Sequence, residues 1–390
     1  MNKANRIRLA IIAFGIYFLS GSICAIVGSL LNELMTFYNK SLREVVLLVS
    51  AFALGRVLTV YFTGRAVEKH GPLKVLFITS IMAAAYLGLL SLIQNYYIGL
   101  CLAFIGGIGM GGQDAACPLL LSETFKDDYA ASLSAGQGLY CFGNFAFAFI
   151  VGFTKSLNIS YRYAFMILLA ISLLVIFLIP FSKAETKTIE GEDTVKPLYT
   201  NNKKLVYIVT FLFVFLYCVF CNNCGTYTSS YIDYLGYDFG AYVFTTYNAG
   251  CLIGAFAFIY VLRKISERLV LFINCAVSFV CLVLAVLINR PTAWFILYFI
   301  IGFLLGVLFS LIISVITRVG YKQISLLSSL VGVIGGCGDI LTPIFTGGLI
   351  EKYSLTMSTN ISIVVLFVLT ILSLITLLIT KEENIYGYSE

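Results

Sequence analysis

The sequence predicts an all-α membrane protein of twelve transmembrane helices in two pseudo-symmetric six-helix bundles. Three observations carry that reading: charge-free apolar blocks long enough to span a bilayer, one charged segment at mid-chain, and positions that recur at a fixed offset of 195 residues. Of the 390 residues, 60% are hydrophobic and only 11% are charged, against about 25% charged in soluble domains. Tyr163–Pro180 and Ile361–Thr380 contain no charge at all, and about 20 such residues cross a bilayer as a helix. The alternating polar pattern of a membrane barrel is absent, and helices satisfy their own backbone in lipid.

Spans are expected at 7–37, 42–64, 73–94, 96–122, 129–154, 162–182, 204–233, 239–262, 268–289, 291–317, 323–350 and 358–380. The first is far longer than the apolar core of a cleavable signal, so it reads as a true span. Ser182–Lys204 holds nine charges, with Pro197, Asn201 and Asn202, and reads as a solvated linker. The domains expected are thus a bundle over 1–182, a charged linker over 183–204, and a bundle with a short tail over 205–390.

Lysine and arginine set the expected orientation. With both termini inside, the outer segments hold only Lys40, Arg43, Lys155, Arg162, Arg290 and Lys352. Arg56 lies within a span, and the remaining basic residues fall on the inner side. The positive-inside rule then places both termini and the linker in the cytoplasm, with the chain in the inner (plasma) membrane. The net charge of +6 therefore reports topology and predicts no nucleic-acid partner.

The halves look duplicated. Adding 195 carries Gly55 to Gly250, Lys69 to Lys264, Gly107 and Gly111 to Gly302 and Gly306, and Gly143-Asn144 to Gly338-Asp339. Parallel repeats of this kind place a substrate site between the halves near mid-membrane.

The loop after the second span reads Gly64-Arg65-Ala66-Val67-Glu68-Lys69-His70-Gly71-Pro72-Leu73-Lys74. An acid and bases at helix ends can bind neighbouring helix termini in one state and release them in another. Glu123, at the end of span four, is the expected partner of Arg65 or Lys69. This loop resembles the signature of the major facilitator superfamily, with Glu68 where aspartate is usual.

Within that superfamily the chain resembles the fucose/glucose–galactose proton symporter branch and its relatives of unknown substrate. The likeness rests on Gly109-Met110-Gly111-Gly112-Gln113-Asp114-Ala115-Ala116-Cys117-Pro118, on Tyr247-Asn248-Ala249-Gly250-Cys251-Leu252-Ile253-Gly254 with Val261-Leu262-Arg263-Lys264-Ile265-Ser266, and on Gln137 ahead of Gly143. It implies the major facilitator fold, alternating access, and symport of a hexose with protons. The chain also departs from the branch. The aspartate of span one falls at Gly28, Gln113 stands where fucose transporters have glutamate, Tyr140 replaces asparagine, and Ala255 replaces arginine. Asn32-Glu33 resembles the branch's Asn-Asp pair but lies nearer the outer face.

Read without the family, span five sets Gln137, Tyr140 and Asn144 on one helical face. Span seven sets Asn222, Thr226 and Ser229 together, with Asn223 and Tyr227 beside them, and span eleven repeats the spacing with Gly335, Asp339 and Thr342. Unpaired amides and hydroxyls are costly in hydrocarbon, so these faces turn either to a cavity or to a neighbouring helix. Ionisable residues inside spans are rare and mark ion or proton paths. Here they are Asp114, Asp339, Glu33 and Arg56, with Asp114 the leading coupling acid and Arg56 its possible ion-pair partner.

The substrate site is expected at Gln113, Gln137, Tyr140, Asn144, Asn222, Asn223, Tyr227, Tyr247 and Asn248. With one tryptophan, Trp294, ring stacking falls to Tyr140, Tyr227 or Tyr247. The expected function is secondary transport of a small, polar, sugar-like solute with protons, by a monomer. An exporter of amphipathic compounds and a transporter-like sensor are the alternatives. No enzyme constellation, metal cluster or cofactor is expected: His70 is the only histidine, there is no Gly-Lys-Ser/Thr loop, and Cys218, Cys221 and Cys224 lack a fourth cysteine at iron–sulfur spacing.

Overall fold

The computed structural model describes residues 3–125, 129–184, 198–262, 264–320 and 324–382. Most of the expected linker, 185–197, and the last residues of the tail lie outside them. The first span is made of α1 (Lys3–Cys24), α2 (Ile26–Ser29) and α3 (Leu31–Tyr38), where one continuous helix was expected. Then come α4 (Leu42–His70), α5 (Pro72–Leu89), α6 (Tyr96–Thr124), α7 (Tyr129–Ser156) and α8 (Arg162–Leu178). The second half holds α9 (Lys203–Tyr234), α10 (Gly240–Val261), α11 (Glu267–Ile288), α12 (Pro291–Leu305), α13 (Leu308–Val319), α14 (Ile324–Lys352) and α15 (Thr356–Ile379). Among the described residues, eleven helices are long and apolar enough to cross a membrane. With α4, which is 29 residues long, the protein is a multi-pass, all-α membrane protein with twelve crossings.

Local chemistry sets the ends. Ser41 and Glu44 form a reciprocal capping box that starts α4. Asn95 accepts from the Tyr97 and Ile98 amides to start α6. Asn39 and Asn289 close α3 and α11 in the left-handed conformation. The second span runs past its expected end at 64 until Gly71 stops it. Gly71 sits at φ 84°, ψ 156°, a region essentially open only to glycine. Pro72 then opens α5 at the first-turn position where its missing N–H costs nothing. Span ten is also broken, between Leu305 and Leu308, where Gly306 and Val307 separate α12 from α13.

The sequence repeat is a packing repeat. Gly55 lies against the Phe104 carbonyl, and Gly250 lies against the Phe299 carbonyl. Gly107 meets the carbonyl of Phe52, and Gly302 meets that of Tyr247. Every one of these partners is related by the same offset of 195. No Cβ fits at any of the four positions, so α4 packs on α6, and α10 on α12, backbone to backbone.

Asn5 with Lys183, and Leu198–Tyr199 with Lys381–Glu382, lie at one end of the bundle, here called the terminal end. The Asn5 amide donates to the Lys183 carbonyl at 2.7 Å and its oxygen accepts from the Lys183 N–H at 2.9 Å. β1 (Leu198–Tyr199) pairs antiparallel with β2 (Lys381–Glu382), and Arg268 donates to the Thr380 carbonyl beside them. Leu198 is buried with Val206, Val315 and Val319. Also in the second half, Arg318 on α13 donates to Glu267 on α11 at 2.5 Å, and Ser314 donates to the other carboxylate oxygen at 2.6 Å. The pair is mostly buried, with side chains 18% and 12% exposed. Breaking a buried pair by removing one partner costs about 3–5 kcal/mol. Arg318→Met should therefore lower the melting temperature clearly, and adding Glu267→Gln should restore part of the loss; a double variant no more stable than the single one contradicts this account.

Candidate functional site

A cavity of about 240 Å³ lies between the halves. Of the residues expected at a site, Arg56, Gln137, Tyr140 and Asn144 line it from the first half. Asn222, Tyr247, Asn248 and Asp339 line it from the second. The repeat is visible in the walls: Phe52 and Tyr247, Arg56 and Cys251, and Asn144 and Asp339 are related by 195, and all six line the cavity.

Other expected residues are turned elsewhere, and helical geometry explains each. Neighbours on a helix point about 100° apart. On α9, Asn222 faces the cavity while Asn223 faces α15, donating to the Ser358 carbonyl at 2.6 Å and the Ser362 hydroxyl at 2.7 Å. Tyr227 is buried, and its hydroxyl has no hydrogen-bond partner among the described residues. On α6, Gln113 is buried between α1 and α5, accepting from Ser20 at 3.3 Å and donating to Ser80 at 3.4 Å. Asp114, next to it, accepts from the Arg56 guanidinium at 2.6 Å. It thus reaches the site through Arg56 and is not a wall residue. Glu33 sits away from the cavity and pairs with Lys155 at 2.9 Å. Trp294 is buried against Tyr231 and Tyr298, and donates to Asn289 at 3.1 Å.

The walls also contain residues that sequence reasoning missed. Phe52, Tyr86, Tyr217 and Phe244 join Tyr140 and Tyr247 as aromatic surface, and Cys24, Cys141, Cys221 and Cys251 also line the cavity. Phe244 and Tyr247 stack, with ring centroids 6.1 Å apart. Two signals were available. Phe52 is the repeat equivalent of Tyr247, and Tyr217 and Cys221 lie eight and four residues before Gly225, on the stripe beside that of Asn222 and Thr226.

Two amides are partly engaged by their own helices. Asn248 donates to the Phe244 carbonyl at 3.0 Å, and Asn144 to the Tyr140 carbonyl at 3.4 Å. Each keeps an oxygen and a second N–H, so the walls offer both donors and acceptors. The Thr226 hydroxyl donates to the Asn222 oxygen at 3.4 Å, which leaves the Asn222 NH₂ as the group able to donate to the neighbouring Asp339 carboxyl.

Contacts between halves close the end away from the termini. Arg43 pairs with Glu351 at 3.0 Å, and Ser50 donates to the Ile340 carbonyl at 2.9 Å. Val57 packs on Gly336 deeper in the bundle. Gly28, where the resembling branch has its acid, lies against the Gly225 carbonyl with no room for a Cβ.

The expected latch falls at the terminal end. Arg65, Lys69 and Lys74 are exposed, and Gly71 forms the turn described above. The side chains of Glu68 and Glu123, and Gly64, lie outside what the structure describes. The offset of 195 carries Glu123 to Arg318, whose pairing with Glu267 occupies the corresponding place in the second half. Among the described residues no group of histidine, cysteine or acidic side chains is placed to hold a metal ion.

Two repeated helical bundles with a central cavity walled by residues of both are the architecture of a membrane transporter. The chain belongs to the Major Facilitator Superfamily, whose family model matches residues 13–325. No curated protein is similar enough in sequence to match the chain. Solved structures are similar in fold. One is a single-substitution variant of the E. coli fucose:proton symporter FucP, at 16% identity and TM-score 0.60, covering 95% of this chain and 98% of that one. Another is the Major Facilitator Superfamily transporter FucP in its outward conformation, at 16% identity and TM-score 0.61, covering 94% of this chain and 98% of that one.

Proposed function

We propose that this transporter moves a small, neutral, hydroxyl-rich solute of sugar type, coupled to protons, by alternating access of the cavity between its halves. The observation that supports this most is the composition of the walls. Four amides, Gln137, Asn144, Asn222 and Asn248, converge from both halves among six aromatic rings. Amides pair with hydroxyls as donor and acceptor, and rings cover the apolar faces of a sugar. The volume supports a small solute, since pockets for drug-sized ligands span about 300–1,000 Å³. Residues 1–182 and 205–390 would move as two bodies, and the basic-residue count would set the terminal end in the cytoplasm. The membrane acids and Arg56 would supply the proton path, and no enzymatic step is required.

The test is a thermal-shift panel on the purified protein with hexoses, amino acids and hydrophobic cations. It is followed by uptake into proteoliposomes with an imposed pH gradient. Hexoses should raise the melting temperature, and accumulation should require the gradient. Stabilisation by hydrophobic cations alone would replace this reading with that of an exporter.

A further inference from the structure

We infer that Asp339 is the seat of the coupling proton and that Asn222 is the positioning residue through which bound solute controls it. The inference rests on the proton-coupled reading above and deepens it.

The argument begins with a charge count. Three side chains of the Asp and Arg type bear on the cavity: Arg56 on α4 and Asp339 on α14 line it, and Asp114 on α6 reaches it through Arg56. Arg56 and Asp114 are held at 2.6 Å within the first half, so that guanidinium is already matched by a carboxylate. Asp339 comes from the other half and is the one acid left over. An arginine hardly ever deprotonates, so charge neutrality at the cavity is reached only by adding a proton to an acid or admitting a cation. Asp339 faces Arg56 across the interface, because Ser50 and Val57 on α4 fix α14 at Ile340 and Gly336. Among the described residues, the thiols of Cys218 and Cys221 on α9 and of Cys24 on α1 also lie near it, and the phenols of Tyr140, Tyr217 and Tyr247 line the same cavity. On α13, Arg318 is committed to Glu267, and α15 has no ionisable residue.

The second part concerns Asn222. Its oxygen accepts from Thr226, which leaves its NH₂ for Asp339. Asn222 is also a wall of the cavity. A hydroxyl-rich solute entering the cavity competes for that same NH₂. A carboxylate that loses a donor holds its charge less well, and a proton from water onto its oxygen restores the balance. Solute and proton therefore bind together, and neither is favoured alone. The proton also weakens the pull of Asp339 on Arg56, which lies in the opposite half, so loading the site loosens one tie between the two bodies. The repeat supports this division of roles. The position equivalent to Asp339 is Asn144, an amide that cannot titrate.

Two measurements test the inference on the full-length purified protein. The first is infrared difference spectroscopy across a pH step, without solute. A carboxyl band should appear in the native protein and in Asp114→Asn, and vanish in Asp339→Asn. The second is the affinity for L-fucose, D-galactose and D-glucose against pH. Native affinity should weaken roughly tenfold per pH unit above the midpoint, as one coupled proton requires. Asp339→Asn should flatten that profile, and Asp339→Glu should keep it with a moved midpoint. Asn222→Ala should keep the infrared band while the sugar no longer alters it. A band that survives in Asp339→Asn, or a sugar affinity in that variant still sloped with pH, overturns the inference. If none of the sugars binds, the proposed substrate class fails, and the infrared result alone decides the proton's seat.

Discussion

Replacing Gly28 with alanine is expected to abolish transport without unfolding the protein. A methyl at this position collides with the Gly225 backbone carbonyl in the opposite half. A carbonyl on a helix cannot swing aside as a flexible side chain can. The first span would have to withdraw from α9, and the end away from the termini would stay open. Both residues line the cavity, so the same shift enlarges the site. Solute should still bind from the open side, and transport should fall by at least about a hundredfold, the effect of about 2.7 kcal/mol against the closed state. Paired cysteine accessibility on the two ends of the bundle, with solute binding measured in parallel, would show it. Normal transport by Gly28→Ala would mean that this closure is not part of the cycle.

Arg56 should be the other position of large effect. It lines the cavity and holds Asp114. In Arg56→Leu, Asp114 is left without its partner at mid-membrane. Buried pairs broken on one side lose about 3–5 kcal/mol. Both side chains here are about a third exposed, so about 1–3 kcal/mol is the expected loss after screening. Transport should fall to background, because the guanidinium is also the counter-charge that Asp339 faces. Arg56→Leu combined with Asp114→Asn should regain stability but not transport. Recovery of both would make Arg56 merely a structural partner for Asp114.

The fold was largely readable because hydrocarbon imposes its length requirement on every span. Most expected boundaries lie within a few residues of the helix ends, and the offset that relates Gly55 to Gly250 proves to be a backbone contact in each half. The breaks were not readable. Spans one and ten are interrupted at Ala25, Leu30 and Gly306-Val307, inside stretches as apolar as their neighbours, so hydropathy carries no mark of them. The site was readable only to the level of a helical face. Polar spacing on span seven identified the right helix, but it could not choose between Asn222 and Asn223, which point about 100° apart. The same ambiguity displaced Gln113, whose burial between α1 and α5 depends on which neighbours surround α6. Aromatic walls such as Phe52 and Phe244 were hidden because phenylalanine in a membrane helix is ordinary wherever it points.

The ties at the terminal end have a consequence for how the polypeptide can be divided. Lys183 is fastened to Asn5, and Leu198–Tyr199 to Lys381–Glu382, so each bundle grips its own side of the connection. The stretch from 184 to 197 joins them, and at about 3.3–3.6 Å per residue it can reach nearly 50 Å, well beyond what a rocking motion demands. Cutting it with a protease, or producing the two bundles as separate polypeptides, should leave a reassembled pair that still carries solute.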